Sequence, residues 1–190
     1  MSQEIKDRFK QFVVPTYGRF PITLDRGKAA YVWDTDGKRY LDLGGGIAVN
    51  CLGHAHPEIS QSLAEQSAKL MHCTNFYHFD GQARLAENLA KRLGPGRMFF
   101  GNSGAEASEV MFKLARRLGQ TDGRFEIITA ENSFHGRTMA GISASGQAKV
   151  KEGFAPLLQG FVHVPYNDID AVRSAISPAT VAVMIEGIQG

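Results

Sequence analysis

Arg97-Met98-Phe99-Phe100-Gly101-Asn102-Ser103-Gly104-Ala105-Glu106 is the stretch that decides the fold. Residues of strand composition run into small, turn-forming ones, and a helix then begins. Helical spacing predicts a helix from Ala105 to Leu118, with Val110, Leu114, Ala115 and Leu118 on its buried face and Gly119 at its C-cap. A strand, a small-residue loop and a helix N-terminus together make an anion site, because free backbone N–H groups and the positive helix end point to one place. Ser103 adds a hydroxyl, and Gly104 allows close backbone approach. Ser103 with Glu106 equally matches a capping box. Acids early (Glu106, Glu109) and bases late (Lys113, Arg116, Arg117) also fit the helix dipole with no ligand. The stretch alone leaves both readings open.

Downstream, Glu126–Ala130, Phe161–Val164 and Val181–Ile185 read as strands, with a short helix over Ile169–Ile176. Strands alternating with helices predict βαβ units and a largely parallel sheet, hence an α/β fold. In such sheets ligands bind at the carboxyl ends of the strands. Glu131-Asn132-Ser133-Phe134-His135-Gly136-Arg137-Thr138 stands at that place after the first of these strands. Phe134 offers a flat face to a ring, and Arg137 a planar fork to a carboxylate. Taken alone, a core phenylalanine and a surface arginine explain them better.

Upstream, Ile5, Phe9, Phe12 and Val13 give an amphipathic helix that Pro15 ends. Ala30–Trp33 and Arg39–Leu43 flank Asp34-Thr35-Asp36-Gly37-Lys38, a β-hairpin signal. Gly44-Gly45-Gly46 marks a sharp turn or a close backbone approach. Pro57 fits the first position of a helix carrying Ile59, Leu63, Ser67 and Leu70 on one face. A second helix over Gln82–Leu93 is stopped by Gly94-Pro95-Gly96. His54 and His56 near Cys51 suggest a metal, but no second cluster completes a four-ligand set. They read instead as a turn whose rings bond backbone, and no metal is expected.

The 190 residues are 43% apolar and 21% charged, and 21 basic against 19 acidic side chains leave a formal charge of +2. That balance argues against nucleic acid and anionic membranes as partners. Apolar runs such as Val181–Ile185 are far shorter than the ~20 residues of a spanning helix. Cys51 and Cys73 make no disulfide framework, and the charged first residues show no secretory leader. A soluble, cytoplasmic protein is expected. Neither a P-loop nor a Gly-x-Ser-x-Gly elbow is present.

An ordered series of short motifs carries a more specific signal. It runs through Trp33–Asp42, Gly46–Asn50, Leu52–Pro57, Asn102–Ala107, Lys113–Arg116, Phe134–Thr138, Val164–Asp168 and Glu186–Gly190. In this order the series resembles the class III aminotransferases, enzymes that use pyridoxal 5′-phosphate (PLP) and have the type I PLP fold. The Gly-Ile-Ala-Val-Asn stretch and the Asn-Ser-Phe-His-Gly-Arg-Thr loop are most similar to acetylornithine aminotransferases. Those move an amino group between N-acetylornithine and 2-oxoglutarate in arginine biosynthesis.

The resemblance implies that Ser103, Gly104 and Ala105 hold the PLP phosphate and that Phe134 stacks on the pyridine ring. It implies that Arg137 grips the substrate carboxylate, and that Glu186 steers a partner arginine during substrate exchange. It further implies a homodimer, with residues 1–58 associated with a small domain and 59–190 forming the first part of a larger PLP-binding domain. No catalytic residue is assigned: the Schiff-base lysine and the ring-nitrogen aspartate are expected beyond Gly190, and Lys149 and Lys151 match no family lysine and read as solvated. Gly187 stands where the family commonly has proline. Other class III activities remain open (ornithine, succinylornithine, succinyldiaminopimelate or 4-aminobutyrate aminotransferase), as does a non-catalytic module that binds PLP or phosphate.

Overall fold

The computed structural model describes residues 2–190. The chain packs as two units, one running to Asp80 and the other from Gly81 to Gly190. Residue 58, the expected boundary, lies inside the first unit.

The first unit holds α1 (Ser2–Phe12), β1 (Leu24–Lys28), β2 (Tyr31–Asp34), β3 (Arg39–Leu41), α2 (Gly45–Ala48) and α3 (Pro57–Lys69). Its strands form an antiparallel sheet in the order β1-β2-β3. The hairpin between β2 and β3 is therefore as expected, and β1 is an added strand. Almost every residue of β1 is exposed, so its composition carries little apolar alternation. Asp34 builds the hairpin turn: its Oδ1 accepts the N–H of Asp36 (3.0 Å) and Lys38 (2.9 Å), and Oδ2 accepts the Tyr40 hydroxyl (2.7 Å). The Tyr40 bond is the main reason the Asp34 carboxyl sits below its ordinary pKa. Gly37 takes φ +82°, which the tight turn requires.

The glycine run turns sharply: α2 is one irregular turn, with Gly46 and Ile47 in the left-handed region. Asp42 anchors it by accepting the N–H of Gly44 (3.2 Å) and Gly45 (2.9 Å). Its other oxygen lies 2.7 Å from His54 Nε2. The His54 ring thus bonds a carboxylate rather than backbone, contrary to the expected turn. His56 caps α3 through its backbone position, and its Nδ1 has no partner among the described residues.

The second unit holds α4 (Asp80–Leu93, beginning at the division), α5 (Gly104–Gly119), β4 (Glu126–Ala130), α6 (Met139–Ala144), β5 (Phe161–Val164), α7 (Ile169–Ala175) and β6 (Thr180–Val183). Its sheet is parallel throughout, in the order β5-β4-β6. β4 is the central strand, so both of its faces are covered and it reads as an apolar run. Ile127, Ile128, Thr129 and Ala130 are all buried. Phe112 of α5 packs edge-on to Phe161, with ring centres 5.2 Å apart.

Three expectations fail here. Residues 97–100 form no strand, because neither edge strand, β5 nor β6, pairs with them. The buried face of α5 is only partly the one expected: Ala115 packs on the core as expected, but Leu114 and Leu118 are exposed, and Phe112 and Gly119 are buried instead. The helix has two apolar stripes, and the sheet takes the one whose small residues allow close approach. A Cβ on Gly119 would lie 2.1 Å from the Arg124 carbonyl oxygen and 2.9 Å from Val181. Gly119 is thus a packing glycine inside the helix. The left-handed stop falls at Gly123, after one turn of 3-10 helix.

No helix among the described residues is long and apolar enough to cross a membrane. Among the described residues, no cluster of three or more His, Cys, Asp or Glu side chains is arranged to hold a metal.

Candidate active site

The N-terminus of α5 carries a variant of the capping box, whose return bond reaches the residue before the N-cap. Ser103 Oγ accepts the Glu106 N–H at 3.2 Å. The Glu106 carboxylate reaches back to the Asn102 N–H and, at 3.2 Å, to the Asn102 amide nitrogen. These bonds hold the Glu106 carboxyl below its ordinary pKa. The cap leaves the first two donors of the helix unspent: the N–H groups of Gly104 and Ala105 meet no acceptor among the described residues. A Cβ on Gly104 would touch nothing within 4 Å. The two readings of this stretch are therefore compatible. The box satisfies the inner N–H, and an open, electropositive cradle remains at the tip.

The loop after β4 is bound tightly at its base. Ser133 Oγ donates to the Ala130 carbonyl (2.6 Å) and accepts the Gly146 N–H (3.0 Å). Asn132 sits at φ +61° and Gly136 at φ +103°. A Cβ on Gly136 would come within 3.0 Å of Ala105 Cα and Cβ. This bare backbone contact lays the loop against the first turn of α5. It brings Phe134 and Arg137 to the cradle formed by Ser103, Gly104 and Ala105.

Phe134 is 43% exposed, so a ring face is available to a ligand. The Arg137 guanidinium carbon lies 5.6 Å from the centre of that ring. Glu186 arrives from beyond β6, and its Oε2 accepts the Phe134 N–H at 3.4 Å. The Tyr166 hydroxyl donates to the carbonyl oxygens of Glu186 (3.0 Å) and Gly187 (3.2 Å), fixing that segment. Gln189 ties it to the Glu131 carbonyl at 2.9 Å. All six site residues named from the sequence thus gather around the carboxyl ends of β4 and β6 and the start of α5.

Beneath them lies a partly buried polar layer that sequence reasoning missed. His135 is 5% exposed, its N–H donates to Ser145 Oγ (2.9 Å), and its Nε2 has no partner among the described residues. Burial lowers the His135 pKa, against an opposing pull from Glu186. His163 Nε2 lies 3.0 Å from the Ser145 carbonyl oxygen and 3.1 Å from Lys151 Nζ. Burial, and then Lys151, lowers the His163 pKa, while burial lowers that of Lys151. Lys151 is therefore half-buried against a histidine rather than freely solvated, which in part corrects the expectation for it. Lys149 is exposed. The available signal was the run Ile142-Ser143-Ala144-Ser145, since hydroxyls in an apolar stretch must find partners if buried.

The profile of the Aminotransferase class-III family matches residues 12–190. The chain is 49% identical over 189 residues to the acetylornithine aminotransferase of Gloeobacter violaceus, covering 98% of this chain and 47% of that protein. It is 47% identical to that of Methanothermobacter thermautotrophicus, covering 100% and 48%. The chain thus spans about half the length of the curated relatives it matches. Among solved structures, the ornithine aminotransferase of Toxoplasma gondii ME49 superposes with a TM-score of 0.93 at 28% identity, covering all of this chain and 46% of that one. A second structure of the T. gondii protein, with a TM-score of 0.94 at the same identity and coverage, has partial occupancy of PLP at its active site. The acetylornithine aminotransferase of Elizabethkingia anophelis gives a TM-score of 0.80 at 28% identity, covering all of this chain and 45% of that one. The chain belongs to the class-III aminotransferase family.

Proposed function

We propose that these residues are the front half of the active site of a PLP-dependent aminotransferase acting on N-acetylornithine and 2-oxoglutarate. One observation carries the reading: the Gly136–Ala105 contact sets an open anion cradle beside an exposed phenylalanine face with an arginine over it. A phosphate, a flat ring and a carboxylate fit those three features in turn. In this reading Ser103, with the N–H groups of Gly104 and Ala105, holds the phosphate, and Phe134 packs on the ring. Arg137 takes the substrate carboxylate through its planar fork and orients the substrate before the ring. Glu186, beside Phe134, offers a negative charge to a cation that must leave when the substrate enters. PLP when bound would supply the electron sink for reaction at the carbon that carries the substrate's free amino group. We place the lysine and the ring-nitrogen aspartate that complete this site beyond Gly190.

The same reading makes the whole protein a cytoplasmic homodimer. The two free cysteines suit a reducing compartment. The uncovered Leu114 and Leu118 stripe of α5 suits a surface that other parts of the assembly cover. Residues to 58 would belong with the small domain and 59–190 with the large one.

Ornithine aminotransferase is the second reading, favoured by the T. gondii superposition; identities of 47–49% favour the acetylated donor. Values of kcat/KM for the two donors with 2-oxoglutarate, measured on the full-length protein, separate them. Preference for N-acetylornithine supports the first reading, and preference for ornithine overturns it.

A further inference from the structure

We propose that Ser145 is a positioning residue for the loop that carries Phe134 and Arg137; this rests on the aminotransferase reading above. Ser145 is fully buried. Its Oγ accepts the His135 N–H at 2.9 Å and donates to the Gly141 carbonyl at 2.8 Å. One hydroxyl therefore links the peptide that follows Phe134 to the last turn of α6. The next residue presses on the base of the same loop. Gly146 N–H donates to Ser133, and a Cβ on Gly146 would lie 2.3 Å from the Ala130 carbonyl oxygen. The segment is fastened to the central strand by Thr129, whose hydroxyl donates to the Ala144 carbonyl at 2.8 Å. The order of dependence is β4, then residues 144–146, then His135, and only then the Phe134 ring.

Removing the Ser145 hydroxyl leaves the buried His135 N–H without an acceptor. Such a group recovers a partner only if the chain moves toward water. Phe134 and Arg137 flank His135 and Gly136, so both are displaced together. Ser143 provides an internal control. It is buried, its Oγ donates to the Met139 carbonyl (2.7 Å) and it accepts the Leu158 N–H (2.9 Å). The chemistry matches that of Ser145, but what it holds is outside the site.

The test compares Ser145→Ala and Ser143→Ala in the full-length protein by thermal melting, amide hydrogen exchange without PLP, PLP affinity and visible circular dichroism of the PLP-bound form. Both variants should melt lower than the parent. Only Ser145→Ala should speed exchange at His135, weaken PLP by about 10-fold and change the visible dichroism. Equal PLP affinity and dichroism in the two variants would overturn the proposal. Failure of the parent protein to bind PLP would overturn the aminotransferase reading instead, and exchange at His135 would still test Ser145. If Ser145→Ala does not fold, the parent alone decides: the His135 amide should be protected like those of β4, and exchange as fast as at Asn132 would refute the link.

Discussion

Ser103 serves two neighbours at one helix end. It caps Glu106 at 3.2 Å and, in the proposed enzyme, also faces a phosphate. Ser103→Ala should cost about 1 kcal/mol of stability through the lost cap, read as a lower urea midpoint, together with weaker PLP binding. Arg137→Lys keeps the charge but loses the planar fork. It should lower kcat/KM for both substrates by about 100-fold, with the absorbance of bound PLP retained. One buried and one half-buried histidine make stability depend on pH. His135 and His163 both have pKa values depressed below the ordinary 6.5 by burial. The unfolded chain therefore binds protons that the folded chain refuses, and stability falls as pH drops below about 6.5. The melting temperature should decline over that range, and His163→Gln, which retains a donor for the carbonyls of Ala144 and Ser145, should flatten the decline. An unchanged pH slope in that variant would remove His163 as a cause. Ser103, Phe134 and Arg137 could be singled out in the sequence because each sits in a short local pattern, and the structure brings their segments together. Ser145, His163 and Lys151 were not, since their partners lie 10, 18 and 12 residues away.

At the scale of elements, β4 is legible to the residue because a central parallel strand must be apolar on both faces. Its position then fixes where the loop carrying Phe134 emerges. The helix after Ser103 is legible in extent to within one residue at each end, but not in orientation. Its apolar residues form two stripes, and only the sheet chooses between them, taking Phe112, Ala115 and Gly119. Phe112→Ala should therefore cost about 3–5 kcal/mol, whereas Leu114→Ala should change stability far less; chemical denaturation of both variants checks the assignment. Residues 97–100 show the limit of composition: a strand exists only where a neighbour completes its ladder. Gly136→Ala tests the contact between loop and helix. The added Cβ faces Ala105 at 3.0 Å in a backbone conformation of φ +103° that side chains rarely adopt. It should cost about 1–3 kcal/mol and weaken PLP binding more than a surface change of equal stability cost.

At the scale of the whole molecule, the sequence series made the family legible across nearly the full chain, although single motifs were ambiguous. The chain spans about half of its relatives, and large apolar side chains such as Leu43, Ile47, Phe76, Leu118 and Ile188 are more than 60% exposed. Surfaces of that kind associate in water unless covered. The 190-residue chain expressed alone should therefore self-associate in light scattering, and a stable monomer with a sharp melt would contradict this. The most direct test of the proposed activity is the initial rate of glutamate formation from N-acetylornithine and 2-oxoglutarate by the full-length protein saturated with PLP. Turnover that is lost on replacing Arg137 with Gln is the expected result. A protein that binds no PLP, or whose rate is indifferent to Arg137, would contradict the site built here from Ser103, Phe134 and Arg137.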